Sequence, residues 1–491
     1  MMQDLAIEVC MNTVAQEKEE AMVAARQSHG LSKVQPSNVT STVATNHQQP
    51  AQSVGLDPKL LEDPDHCVAE LNKQYAVVNA GAQVLIADEF NETHPFLALS
   101  AFHDLFANVR VRIDSKTTKP VTRHWFTHPN RRQYKAGMRF DPGGGSSVDY
   151  YNLWKGFGVQ GDPHASCQRF LDHVKTVICD GDQDCYDYVM DWLALTVQQP
   201  GVLPGVAICL LSGQGTGKGI FTNYVGKLFG KHFKHITDRG QLFGRFTDHL
   251  DDALLMFADE MYWSGNKEEA GLLKVLITEE SRSSERKYGA TMPVKNCVHL
   301  IIASNEDWVI PAELDDRRFF VMNVTNQRVG DYRYFDRLSA EMRNGGPEAL
   351  LVNLQARDIS SFNPSDFPRT EARVSQQLAS LTNIERWLYE LADTAQLKLE
   401  DEVFEPPWPT KVPKDTLHAA YSRWRGESRI TGPVEGKAAF TKTLLKFSFK
   451  TNKMSMPGKK GRAQAYVLPP VEDLRQVFDD MLRFPCDWPT L

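Results

Sequence analysis

Between Ser212 and Arg318 the sequence holds a lysine in a glycine-rich turn, two adjacent carboxylates, an isolated asparagine and two adjacent arginines. Each lies beside a run of apolar residues. Phosphoryl transfer needs such side chains: a cation for the terminal phosphates, a carboxylate for a metal, a base or amide for the attacking water, and a guanidinium for the developing charge. The turn reads Ser212-Gly213-Gln214-Gly215-Thr216-Gly217-Lys218-Gly219 after the apolar run VAICLL. Glycines at 213, 215 and 217 let the main chain close around an anion, so that backbone N–H groups and a helix N-terminus face its oxygens. Lys218 is expected to reach the β- and γ-phosphates of ATP. Two positions depart from the G-x-x-x-x-G-K-S/T pattern: Ser212 stands where the first glycine belongs, and Gly219 replaces the hydroxyl that ordinarily ligates Mg2+.

The run LLMFADE puts Asp259 and Glu260 at the end of an apolar strand, the edge where parallel α/β sheets bind ligands. Asp259 is expected to hold Mg2+, with a larger share of the coordination because position 219 has no hydroxyl. Glu260 is expected to polarise the attacking water. A second strand, CVHLIIASN, ends in Asn305, whose amide can address a γ-phosphate or the water. Taken alone, an asparagine there would more often be a cap or turn residue. Arg317 and Arg318 precede a third apolar run; Arg317 is the favoured transition-state cation, and Arg318 is expected to pack at the strand end near Asp315 or Asp316.

From Asn152 to Thr325 the chain resembles the helicase domain of phage and plasmid primase–helicases, a branch of the superfamily-three helicases within the AAA+ class. The pieces that carry the resemblance are YNLWKGFGV, MDWLALTVQQPG, GQGTGKG, LLMFADE, LLKVLITEE, ERKYG, IIASN and DDRRFF. It implies an α/β fold, a P-loop AAA+ core with a helical collar. It also implies a homo-oligomeric ring, a hexamer in this family, with ATP and Mg2+ between subunits and an arginine supplied by the neighbour. A hairpin gripping single-stranded DNA in the ring channel falls on ITEESRSSERKYGATMPVKN. Arg286, Lys287 and Lys295 are its expected DNA contacts, and an ordinary charged surface loop is the competing reading.

Six regions follow: an N-terminal arm (1–60), a small mixed α/β module (61–150), the collar (151–200), the core (201–345), a linker (346–382) and a winged-helix-like DNA-binding region (383–491). The arm is too polar to bury a core. In the module, RHWFTHPNRRQYKAGMRF offers arginines and aromatics either to single-stranded DNA or to packing within the chain. The module has ADEF and RID but no convincing strand with paired metal-binding carboxylates, so primase chemistry is not expected of it. The winged-helix-like region, which the resemblance also covers, contains the most basic tract, Lys437 to Arg462, without one acidic residue. Lys442, Lys446, Lys450, Lys459, Lys460 and Arg462 are expected to face duplex or forked DNA.

The net charge of −7 does not oppose this, because local distribution governs nucleic-acid binding. Eight scattered cysteines without a C-x-x-C pair suit a reducing cytoplasm, that of a bacterial host for a phage product. Neither a secretory signal nor a membrane span is expected. The expected activity is ATP-dependent unwinding of DNA during phage or mobile-element replication, with a separate primase or polymerase as a candidate partner. Two other classes stay open, an ATPase that loads or remodels a replication partner and a DNA-binding initiator with weak ATPase.

Overall fold

The apolar runs that flank the chemistry-bearing residues form one parallel sheet in the computed structural model. Residues 62–490 are described, apart from 82, 92, 146–147, 246, 261–265, 286–291, 306–316, 401 and 456–461. The chain divides after Gly55, and the architecture below belongs to Leu56–Leu491.

The N-terminal part starts with the helix Pro64–Gln74, capped by Asp63, whose carboxylate accepts from the N–H groups of Asp65 and His66. The helix leads into the strand Tyr75–Asn79, which pairs antiparallel with Val84–Asp88 and parallel with Gln133–Tyr134. The acidic ADEF run is spent on structure. Asp88 accepts from Gln74 Nε2 at 2.8 Å, and Glu89 is paired with Lys155 at 2.7 Å and with Arg132 at 2.5 Å. Much of the basic, aromatic stretch packs inward. Trp125 is fully buried, and the guanidiniums of Arg131, Arg132 and Arg139 lie over the rings of Phe126, Tyr134 and Tyr150. Of the two readings of that stretch, the packing surface describes these residues.

Two helices precede the sheet: α1 (Gln168–His173), continuing as a π turn over Val174–Ile178, and α2 (Gln183–Gln198), capped by Asp182. The sheet comprises β1 (Ala207–Leu211), β2 (Phe233–Ile236), β3 (Leu255–Ala258), β6 (His299–Ser304) and β7 (Phe319–Asn323), in the order β2-β3-β6-β1-β7, every pair parallel. β1, β3 and β6 are buried at every residue, as strands covered on both faces must be, so their sequences are continuous apolar runs without alternation. Helix α3 (Lys218–Phe229) follows β1, and α4 (Lys267–Thr278) leads to the antiparallel pair β4 (Ser281–Ser284) and β5 (Met292–Lys295). After β7 come α5 (Tyr332–Arg343) and α6 (Gly346–Ala356).

The stretch 346–382 is therefore not an open linker. Leu350, Leu351 and Leu354 of α6 are buried in the main core, and a further helix, Glu371–Ala379, follows. Pro347 sits in the first turn of α6, where a missing N–H costs nothing.

The C-terminal part has its own apolar cluster. Helices α7 (Asn383–Thr394), α8 (Lys414–Glu427), α9 (Lys437–Lys446) and α10 (Val471–Leu482) pack around an antiparallel sheet of β8 (Lys411–Pro413), β9 (Lys450–Ser455) and β10 (Arg462–Val467), in the order β8-β10-β9. The proline-rich segment before β8 is anchored by Trp408, whose indole N–H donates to Pro469 O at 2.8 Å. Among the described residues no helix is long and apolar enough to cross a membrane.

Candidate nucleotide site

Because all five strands run the same way, the loops after β1, β3 and β6 meet at one edge of the sheet. β6 lies between β1 and β3, so Asn305 stands between the glycine-rich turn and Asp259. The turn starts where Ser212 N donates to Ser304 O at 3.2 Å and ends at Gly217, which caps α3 with φ +108°. Gly215 also has a positive φ, +75°. Such dihedrals are open to glycine and costly for other residues.

Lys218, the first residue of α3, is 8% exposed. Its ammonium donates to Ser212 O at 2.7 Å, Ser212 Oγ at 2.8 Å and Asn305 Oδ1 at 2.9 Å, and to the carbonyls of Gly213 and Ser304 at 3.2 Å. Burial lowers its pKa from the usual lysine value, and the charges of Asp259 and Glu260 oppose that shift. Ser212 also bonds Thr216 Oγ1 at 2.7 Å, so the serine that replaces the first glycine ties the two ends of the loop together.

Asp259 Oδ1 accepts from the N–H of Glu260 at 3.1 Å, and Oδ2 lies 3.3 Å from His235 Nε2. Glu260 itself has φ +54°, a conformation that costs a non-glycine residue about 1 kcal/mol or more. A cleft of about 410 Å³ is lined by the loop from Gly213 through Gln214, Gly215, Thr216, Gly217, Lys218 and Gly219 to Ile220, and by Asp259, Glu260, Asn305 and Phe335. Mg2+ carried by a nucleotide needs one or two carboxylates, with phosphate and water completing its shell, and Asp259 meets that demand. Gly219 offers no side-chain oxygen, and the next hydroxyl of the helix, Thr222 Oγ1, points back at the carbonyls of Lys218 and Gly219 at 3.1 Å. No group of three or more His, Cys, Asp or Glu forms a metal cage among the described residues.

The arginines are elsewhere. Arg317 and Arg318 precede β7, whose last residue Asn323 pairs with Leu211 beside the loop. Five strand residues separate the two ends, about 17 Å. Arg317 is exposed, and Arg318 is held at the sheet by its carbonyl, which accepts from Ala207 N at 2.8 Å.

Of the expected DNA contacts, Arg286, Lys287, Lys459 and Lys460 lie outside the described residues. Lys295 sits at the foot of the β4–β5 pair, half exposed and 3.6 Å from Asp141. Lys442, Lys446, Lys450 and Arg462 are all exposed, the first two on α9 and the others at opposite ends of the β9–β10 hairpin. A larger cavity of about 710 Å³ opens between the N-terminal part and β4–β5. It includes none of the glycine-rich turn, Asp259, Glu260 or Asn305, so its size does not make it the nucleotide cleft.

Sequence reasoning missed His235, His173 and Phe335. His235 carried a usable signal, since parallel pairing of the two strands aligns it with Phe257, two residues before Asp259. Phe335 reaches the cleft, and His173 the back of the turn, through tertiary packing alone.

A family model described as a family of unknown function, DUF5906, matches residues 210–318, from the end of β1 to the arginines. The chain is similar to the DNA primase-polymerase of Nitratiruptor phage NrS-1, 29% identical over 184 residues, which are 36% of this chain and 25% of that protein. It thus matches about a quarter of that relative's length. The solved apo C-terminal region of NrS-1 has the same mixed α/β fold, with a TM-score of 0.63 at 20% identity, covering 83% of this chain and 99% of that one. A second apo form gives 0.61 at 20% identity, covering 83% and 100%.

Proposed function

We propose that this chain is an ATP-hydrolysing motor of phage-type DNA replication, a superfamily-three AAA+ helicase that assembles as a hexameric ring and unwinds duplex by moving along one strand. The observation that carries the reading is the meeting of Lys218, Asp259, Glu260 and Asn305 around one glycine-rich cleft at the C-terminal edge of a parallel sheet. The likeness to the NrS-1 protein supplies the setting of DNA replication. The primase-polymerase activity in that protein's name is not carried over, since the match spans only a quarter of it.

In this reading the loop N–H groups and Lys218 bind the β- and γ-phosphates of ATP, Asp259 holds Mg2+, Glu260 takes the proton of the attacking water, and Asn305 orients that water. Mg2+ held there by Asp259 would supply charge neutralisation at the phosphate oxygens. Arg317 serves the cleft of the neighbouring subunit, because its own cleft is a strand length away. The β4–β5 hairpin touches single-stranded DNA in the channel, and the C-terminal part, read as a winged helix, meets duplex or forked DNA with its lysines. Residues 151–200 act as the collar, the work is done in the host cytoplasm, and a separate primase or polymerase is the natural partner.

Strand displacement on forked DNA with ATP and Mg2+, with no other protein present, tests the reading. Lys218→Ala and Arg317→Ala proteins should each be inactive and should recover part of the activity when mixed, because some junctions then unite an intact cleft with an intact arginine. Displacement that needs an added helicase would indicate a loader. Failure of every mixture despite demonstrated co-assembly would remove the shared site.

A further inference from the structure

The glycine-rich turn is braced from behind by a histidine that the phosphate chemistry does not use. His173, the last residue of α1, has no exposed surface. Its Nε2 lies 3.3 Å from the carbonyl oxygen of Gly217, and its Nδ1 lies 2.9 Å from the hydroxyl of Tyr334 on α5. A carbonyl only accepts, so Nε2 carries the ring proton; Nδ1 is then an acceptor, and the tyrosine hydroxyl donates to it. Burial holds the imidazole neutral, with its pKa pushed down to about 4.

The contact is steric as well as polar. A Cβ at position 217 would lie 2.6 Å from His173 Cε1 and 3.1 Å from Phe335 Cε1, so the ring and the turn are already in contact. In a trans peptide the carbonyl of Gly217 and the N–H of Lys218 point opposite ways. Holding the carbonyl toward the buried imidazole turns that N–H away from the core. The far end of α5 is fixed to the same helix, since the carboxylate of Glu341 accepts from Arg169 N and Phe170 N at 3.0 Å. α1 and α5 thus form a rigid back-plate behind the loop, joined at both ends.

We propose that His173 is a positioning residue for nucleotide: together with Tyr334 it fixes the Gly217–Lys218 peptide for phosphate binding and ties the loop to α5. The inference rests on reading the cleft as a nucleotide site. A peptide oriented this way meets phosphate in ground and transition states alike, so its loss acts on affinity more than on the chemical step.

The test uses the full chain, a fluorescent ATP analogue for affinity, steady-state ATP hydrolysis and a thermal melt of each variant. His173→Phe keeps the ring volume and removes both hydrogen bonds; it should weaken binding and raise KM about tenfold with kcat within about twofold. His173→Gln, whose amide can still donate to the Gly217 carbonyl, should stay within about threefold of wild type. Tyr334→Phe should cost about threefold, and adding it to His173→Phe should cost nothing more. Wild-type affinity in His173→Phe would overturn the proposal, as would full additivity of the two changes or a fall in kcat and melting temperature with KM unchanged. Should His173→Phe not fold, Tyr334→Phe alone decides, and an unchanged KM there overturns it. Wild-type protein that binds no nucleotide would instead refute the reading of the cleft.

Discussion

Replacing Lys218 by methionine removes one buried ammonium and keeps most of the aliphatic stem. The ammonium is surrounded by five protein oxygens between 2.7 and 3.2 Å, all on the loop or at the end of β6. Arriving phosphate offers this cation a full negative charge at contact distance, where its direct partners are now only dipoles and the Asp259 and Glu260 carboxylates act from farther off. At about 4 Å and an effective dielectric constant near 20 that interaction is worth about 4 kcal/mol. Lost from the transition state relative to free enzyme and ATP, it corresponds to a fall of about three orders of magnitude in kcat/KM. The fold should suffer far less. Ser304 O keeps its bond from Ser212 N, and removing a buried charge returns part of its desolvation penalty, so the stability change should stay within about 2 kcal/mol. Phosphate release at ATP well below KM and a thermal melt measure the two quantities separately. Turnover above about a tenth of wild type would refute the role given to Lys218. A collapsed melting temperature alongside lost turnover would show that the lysine holds the loop together.

Glu260→Gln should bind ATP with near wild-type affinity and hydrolyse it at least about a hundredfold more slowly, since the amide keeps the shape and loses the base; equal loss of binding and turnover, measured with the same fluorescent analogue, would make Glu260 structural. Acid should destabilise the fold through His173, His232 and His299, all fully buried and held neutral at about 4. The unfolded chain takes up these protons near pH 6.5, so stability is complete above that value and falls as pH drops from about 6.5 toward 4, by at most about 3 kcal/mol per histidine. A melting temperature that is flat between pH 7 and 5 would contradict this. Glu341→Ala removes the acceptor of two backbone N–H groups and of Tyr224 O–H at 3.1 Å, and should cost about 3 kcal/mol in denaturant unfolding; a loss below about 1 kcal/mol would mean that water replaces the carboxylate.

The sheet could be read from the chain because β1, β3 and β6 are largely apolar runs, and Asp259, Glu260, Asn305 and the glycine-rich turn with Lys218 follow directly on their ends. Such signals are local. His173 is 44 positions from the carbonyl it braces, and its own neighbourhood, LDHVKTV, shows only a polar residue on a helix. Phe335 is equally anonymous until α5 packs beside the loop. The stretch 346–382 misled for a physical reason: its proline-containing part, DISSFNPSDFPRT, reads as a separator, yet α6 before it begins with glycine at φ +90° and proline in the first turn and packs into the main core. The aromatic and basic run before β1 left two readings open, since arginines over rings serve packing as well as they serve nucleic acid, and composition alone does not distinguish the two.

Parallel strands have one more effect here. They send the loop of β1 and the arginines before β7 to opposite edges of the same sheet, so a single chain carries both halves of the proposed hydrolytic site and joins neither to the other. Turnover per chain then depends on concentration. Diluted below the association midpoint, the protein should lose specific activity while every subunit stays folded, and the loss should steepen with the number of subunits a closed ring demands. Nucleotide bound at a junction would stabilise that junction by mass action, which lowers the threshold as ATP rises. The copy number of the chain would itself be a switch, off at low abundance and on over a narrow range, with no separate regulator needed.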